Sequence, residues 1–70
     1  MGIVNETYNA LNYEENMRKW IEERKRQGIS QKEIAIDMKC TESTISYVEH
    51  FKRRSFAAYY YYKSKFGGGT

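Results

Sequence analysis

The stretch Gly28-Ile29-Ser30-Gln31-Lys32-Glu33-Ile34-Ala35-Ile36-Asp37-Met38-Lys39-Cys40-Thr41-Glu42-Ser43-Thr44-Ile45-Ser46-Tyr47-Val48-Glu49-His50 carries one local device twice. Ser30-Gln31-Lys32-Glu33 is a capping box. The Ser30 hydroxyl accepts from the Glu33 N–H while the Glu33 carboxylate reaches back to the Ser30 N–H. Ile29 and Ile34 stand at the two positions of a hydrophobic staple. The spacing predicts a two-turn helix from Gln31 to Met38, with Ile34, Ala35 and Met38 inward. Thr41 then caps a second helix beginning at Glu42, and Cys40 and Ile45 take the staple positions. Ile45 and Val48 point to the core; Glu42, Ser43, Ser46, Tyr47 and Glu49 face elsewhere. Helices this short need tertiary packing to persist. With only Lys39-Cys40-Thr41 between them they are expected to cross steeply, as in a helix-turn-helix.

Working outward, residues 13–27 read as an amphipathic helix. Met17, Trp20 and Ile21 fall at i, i+3, i+4, and Tyr13 extends the stripe by a turn. Glu14 and Glu15 at its start and Arg24, Lys25 and Arg26 at its end follow the order the helix dipole favours. Gly28 supplies the stop. Residues 5–12 suggest a further short turn of helix, with Asn5 as its cap. On the other side, residues 55–66 offer two readings. Ser55 as cap, Lys63 and Lys65 in the last turn and Gly67 as stop favour a helix. Phe56, Tyr59, Tyr60, Lys63 and Phe66 would then share a face. The run Tyr59-Tyr60-Tyr61-Tyr62 carries the β-propensity of a strand. The helix is preferred, giving an all-α, compact domain of four to five short helices. Residues 1–66 form a single domain, with 67–70 a flexible tail.

Composition narrows the function. A seventy-residue chain has room for one small core, so an enzyme with a deep pocket is not expected. One histidine and one cysteine, ten positions apart, give neither a zinc site nor a catalytic constellation, and no glycine-rich phosphate loop precedes a helix. No cofactor, metal or small-molecule ligand is expected. No stretch has the length and apolarity of a membrane span, so no membrane partner is expected either. The lone Cys40 suits a reducing compartment, and a cytoplasmic location follows. Charge is segregated. Residues 1–50 hold seven Lys/Arg and nine Asp/Glu, net −2; residues 51–70 hold five Lys/Arg and no acid, net +5. A basic end points to a polyanionic partner, since covering phosphates releases condensed counterions.

The segments 28–35 and 41–49 together resemble the lambda-repressor-like family of bacterial and phage regulators. Within the unit 31–50 the family has a small residue where the helices touch, here Ala35, and apolar residues at the places of Ile34, Met38, Cys40, Ile45 and Val48. One position departs: the family's turn usually has glycine, with φ > 0, where this chain has Lys39, at a cost on the order of 1 kcal/mol. The resemblance covers residues 14–52 and does not reach the Tyr-rich segment.

What the resemblance implies is sequence-specific binding of double-stranded DNA, with the second helix in the major groove. Gln31 would hold a phosphate at its helix N-terminus. Glu42, Ser43, Ser46 and Tyr47 would face the groove with His50 at its far edge. Glu42 suits cytosine N4, the serines either donor or acceptor edges, and Tyr47 a thymine methyl or a phosphate. Lys52, Arg53 and Arg54 would take phosphates, and Lys32, Thr41 and Thr44 complete the set. For most of these residues an ordinary structural role stands beside the functional one. Glu42 is also a plain first-turn carboxylate, Tyr47 can pack on the C-terminal segment, and the basic run can be a solvated surface. The C-terminal aromatics either complete the core against Trp20 and Tyr13 or form a homodimer interface, which is favoured because tyrosine is enriched there. A small transcriptional regulator of phage or plasmid type is the expected role. The alternatives are a protein-interaction module on the same fold, with polymerase, a recombinase or a repressor as partner, or a recombination or transposition accessory factor.

Overall fold

The computed structural model describes the backbone of residues 2–67 and the side chains of residues 12–67. Four helices follow one another: α1 (Gly2–Arg26), α2 (Gln31–Met38), α3 (Glu42–Glu49) and α4 (Phe56–Phe66). Among the described residues there is no strand. The all-α class is therefore as the sequence predicts, and the helical reading of 55–66 prevails over the strand.

The first helix departs from expectation. Instead of a short turn over 5–12 followed by a helix over 13–27, α1 is one helix of 25 residues. Asn5 lies inside it rather than capping it. Between Ile3 and Arg26 there is neither glycine nor proline. The interspersed asparagines each cost at most about 0.7 kcal/mol relative to alanine, too little to break a helix.

The predicted caps of α2, α3 and α4 are present. Ser30 Oγ accepts from the Glu33 N–H (3.1 Å) and Glu33 Oε1 accepts from the Ser30 N–H (2.9 Å). Thr41 Oγ1 accepts from the Thr44 N–H (3.2 Å), and Ser55 Oγ from the Ala58 N–H (3.1 Å). The C-termini of α1, α2 and α3 share a second device, a left-handed residue closed by two reverse hydrogen bonds. Gly28 (φ 75°) donates to Lys25 O and Ile29 to Arg24 O. Lys39 (φ 57°) donates to Ile36 O and Cys40 to Ala35 O. Phe51 (φ 60°) donates to Val48 O and Lys52 to Tyr47 O. This is the Schellman arrangement. Lys39 and Phe51 adopt it with side chains that cost roughly 1 kcal/mol each in that region. Lys39 thus takes the backbone shape that glycine would supply. Phe51 was not foreseen; its ring packs against the core and lies beneath the Arg18 guanidinium, 4.9 Å from the ring centre.

The core draws on every helix: Tyr13, Met17 and Ile21 from α1, Ile34 and Ala35 from α2, Ile45 and Val48 from α3, and Ala58, Tyr62 and Phe66 from α4. Ile29, Cys40 and Met38 pack half-buried at its margin, so Met38 is less enclosed than expected. Of the residues expected to share a face of α4, Phe66 is buried and Tyr59 packs half-buried against the core, while Lys63 is exposed. Ala58, Tyr62 and Phe66 are buried, whereas Phe56 and Tyr60 are 58% and 61% exposed. Four successive tyrosines have no periodicity of their own, so the small Ala58 and the partner of the Tyr62 hydroxyl select the face. Gly67 belongs to this packing rather than to a loose tail. A Cβ there would lie 2.8 Å from Lys63 O and 2.9 Å from Trp20 Nε1. The remainder of the predicted tail, 68–70, lies outside the described residues.

Candidate nucleic-acid interface

The position of α3 is set by a buried polar cluster at its C-terminal end. Glu49, expected to face away from the core, is turned inward. Its carboxylate receives Arg24 Nε at 2.7 Å and Nη2 at 2.8 Å, a two-pronged pair, with side chains 4% and 8% exposed respectively. Gln31 Nε2 donates to it at 2.9 Å and the Tyr62 hydroxyl at 2.5 Å. Arg24 Nη1 donates to Ile29 O at 2.6 Å. One carboxylate therefore ties α3 to α1, α2 and α4. Burial works against its ionisation, but the hydrogen bonds from Arg24, Tyr62 and Gln31 outweigh it and hold the carboxyl below the ordinary value of 4.5. Burial, reinforced by the bond to Glu49, pushes the Tyr62 phenol well above its ordinary 10. Among the described residues no buried side-chain nitrogen or oxygen lacks a partner. That completeness lets a charged pair sit in so small a core.

With Ile45, Val48 and Glu49 inward, the outer face of α3 presents Glu42, Ser43, Ser46 and Tyr47. Glu42 and Ser43 are exposed, Ser46 is half-buried, and Tyr47 is 52% exposed, so Tyr47 does not fold onto α4's core. His50 is exposed, its Nδ1 2.8 Å from Ser46 O and 3.4 Å from Ser46 Oγ, which lays the ring back along α3. Ser46, Tyr47, His50 and Lys52 line one shallow groove. Lys52, Arg53 and Arg54 are all exposed. The N–H groups of Lys52 and Arg53 both donate to Tyr47 O, fixing the basic run to the end of the helix. Since Arg24 neutralises Glu49, Glu42 is the remaining charge on α3, and the positive field comes from the run that follows.

The other predicted site residues divide between structural and open positions. The Gln31 amide is turned inward onto Glu49. Thr41 and Thr44 share a hydroxyl–hydroxyl bond of 2.9 Å as part of the cap, Thr44 being half-buried. Lys32 is exposed in the first turn of α2. Sequence reasoning did not single out Arg18. Its side chain is 66% exposed and lies over Phe51, beside the basic run. An i,i+4 contact with Glu14 at 3.5 Å makes it read as an ordinary surface pair. Nothing local in the sequence brings it next to residue 51.

The geometry of the described residues defines an arrangement of four helices whose third carries a polar outward face followed by a basic run. Comparison with known proteins returns no match among protein-family models, curated proteins or solved structures. No described helix is long and apolar enough to cross a membrane. Among the described residues no group of three or more His, Cys, Asp or Glu is placed to hold a metal ion.

Proposed function

We propose that the protein binds double-stranded DNA, using α2 and α3 as a helix-turn-helix of the lambda-repressor-like kind, with α3 in the major groove. One observation carries this reading. The face that α3 leaves uncovered is made of Glu42, two serines and one tyrosine, and the exposed Lys52-Arg53-Arg54 is held to the end of the helix by hydrogen bonds to Tyr47 O. Ser43, Ser46 and Tyr47 read base edges, with Glu42 and His50 at the two ends of the face. Lys52, Arg53 and Arg54 hold phosphates, joined by Arg18 from α1. The Gln31 side chain acts indirectly, by fixing Glu49, while the α2 N-terminus and Lys32 offer the phosphate contact. The role is that of a small transcriptional regulator of phage or plasmid type, acting in the cytoplasm. A homodimer would place two α3 helices about 34–36 Å apart on a palindromic site.

Selection from a random duplex library tests this directly, because it reports binding, motif and palindromy together. Duplex affinity should fall steeply with salt, and replacing Arg53 and Arg54 by alanine should flatten the slope by about two units. Ser43→Ala or Ser46→Ala should change the preferred sequence; a uniform loss would remove the recognition role. No duplex binding at low salt would overturn the reading. It would favour the alternative of a protein-binding module, for which the 65% exposed Ile36 on α2 is the supporting feature.

A further inference from the structure

Two of the large exposed hydrophobic residues among those described, Phe56 and Tyr60, stand one turn apart on α4. They border a cleft of about 170 Å³ lined by Tyr13, Phe56, Tyr59, Tyr60 and Lys63. The floor is rigid. Tyr13 and Tyr59 stack at 5.3 Å and 16°, and Tyr59 also meets Trp20 at 5.1 Å. The Tyr13 hydroxyl accepts from the Ser55 N–H at 3.0 Å, and the Tyr59 hydroxyl accepts from Asn16 Nδ2 at 3.1 Å. Phe56 stands at 80° to Tyr13 and Tyr60 at 84° to Tyr59, so both rim rings rise steeply from that floor. The open aromatic surface is that of Phe56 and Tyr60; Tyr13 beneath them is buried, and its hydroxyl, like that of Tyr59, is already satisfied.

The charge around it selects the occupant. No acid lines the cleft among the described residues. Lys63 is part of the lining, and the Arg54 guanidinium lies 4.9 Å from the centre of the Tyr13 ring. Residues 51–70 as a whole carry five cations and no acid. A second copy of the chain seated here by two-fold symmetry would set like charges face to face. Single-stranded nucleic acid meets both demands, offering a flat π surface and one negative charge per residue. We propose that the cleft binds an unstacked base of single-stranded nucleic acid, the base lying against the aromatic walls while Arg54 and Lys63 take the flanking phosphates. This site shares Arg54 with the proposed duplex surface but no base-reading residue of α3, so substitutions at Phe56 and Tyr60 test it separately from the duplex reading.

The test is anisotropy titration of a labelled oligothymidylate, with an abasic strand of equal length and a duplex in parallel. Wild-type protein should bind the thymidylate strand, and Phe56→Ala with Tyr60→Ala should weaken this by about tenfold or more. The abasic strand should bind wild type as weakly as thymidylate binds the double variant. Duplex affinity of the variant should be unchanged and its thermal melt lowered but still cooperative, because both rings are more than half exposed and lose only edge contacts with Tyr13 and Tyr59. Equal wild-type affinity for the thymidylate and abasic strands would overturn the proposal without recourse to any variant. So would self-association of the wild type that the double substitution abolishes, since a second copy would then fill the cleft.

Discussion

Replacing Glu49 by alanine removes four hydrogen bonds at once, two from Arg24 and one each from Gln31 and Tyr62. It leaves the Arg24 guanidinium almost wholly buried with Ile29 O as its surviving partner. Breaking a buried pair from one side costs about 3–5 kcal/mol. A single core of this size supplies about 3–5 kcal/mol in total. Glu49→Ala should therefore populate the unfolded state heavily at 25 °C, whereas a surface substitution such as Glu22→Ala should stay within about 0.5 kcal/mol of the parent. Arg24→Met combined with Glu49→Leu and Tyr62→Phe should recover most of the loss, since apolar groups of similar volume replace a buried pair at little net cost. Urea titration followed by helical circular dichroism measures all three. A cost below about 1 kcal/mol for Glu49→Ala would refute the reasoning, because the pair would then be open to water. The sign of the pH dependence follows from the same carboxyl. Its folded-state pKa is depressed, so its contribution is present above the ordinary value of 4.5 and is lost as pH falls through the folded value. The triple variant should lack that acid-side loss.

Three further outcomes are expected. Lys39→Gly removes the side-chain penalty at φ 57° and should stabilise by up to about 1 kcal/mol, offset in part by the entropy of the unfolded chain; a lowered melting temperature would contradict the strain argument. Gly67→Ala places a methyl against Lys63 O and the Trp20 indole and should destabilise by roughly 1–3 kcal/mol with altered tryptophan fluorescence. Tyr61 donates to Asp37 at 2.6 Å, and burial with that bond pushes its phenol up to about 12. Its folded value is raised, so the stability it adds is present below its ordinary 10 and is lost as pH rises toward 12. Absorbance titration of Tyr61→Phe should lack a tyrosinate step near that pH.

The segment 28–50 was legible because its signals are local. A capping box and a staple join residues three to five apart, and both boundaries of α2 and the start of α3 follow from them. The outward face of α3 was legible for the same reason, since Ile45 and Val48 fix the register at helical spacing. Glu49 was not legible. A glutamate at a helix end reads as a solvated charge, and its partners lie 25, 18 and 13 residues away in the chain. Phe51 is a similar case: its left-handed backbone is the third use of a closing device that glycine and lysine serve elsewhere, and no residue preference announces it.

By itself, then, the sequence favoured an all-α chain and determined the caps and ends of its middle helices and the polar strip beside a basic run. Those features depend on hydrogen bonds and periodicities within a few residues. Tertiary structure decided which face of α4 turns inward, that Glu49 is a buried anchor rather than a surface charge, and that Arg18 stands beside the basic run. Each of these is settled by which distant group fills a space or satisfies a buried polar atom. The four tyrosines of α4 show the division most plainly: their helix was readable from its two ends, but only Ala58 packing inward and Glu49 waiting for a hydroxyl chose Tyr62 for the core and left Tyr60 outside.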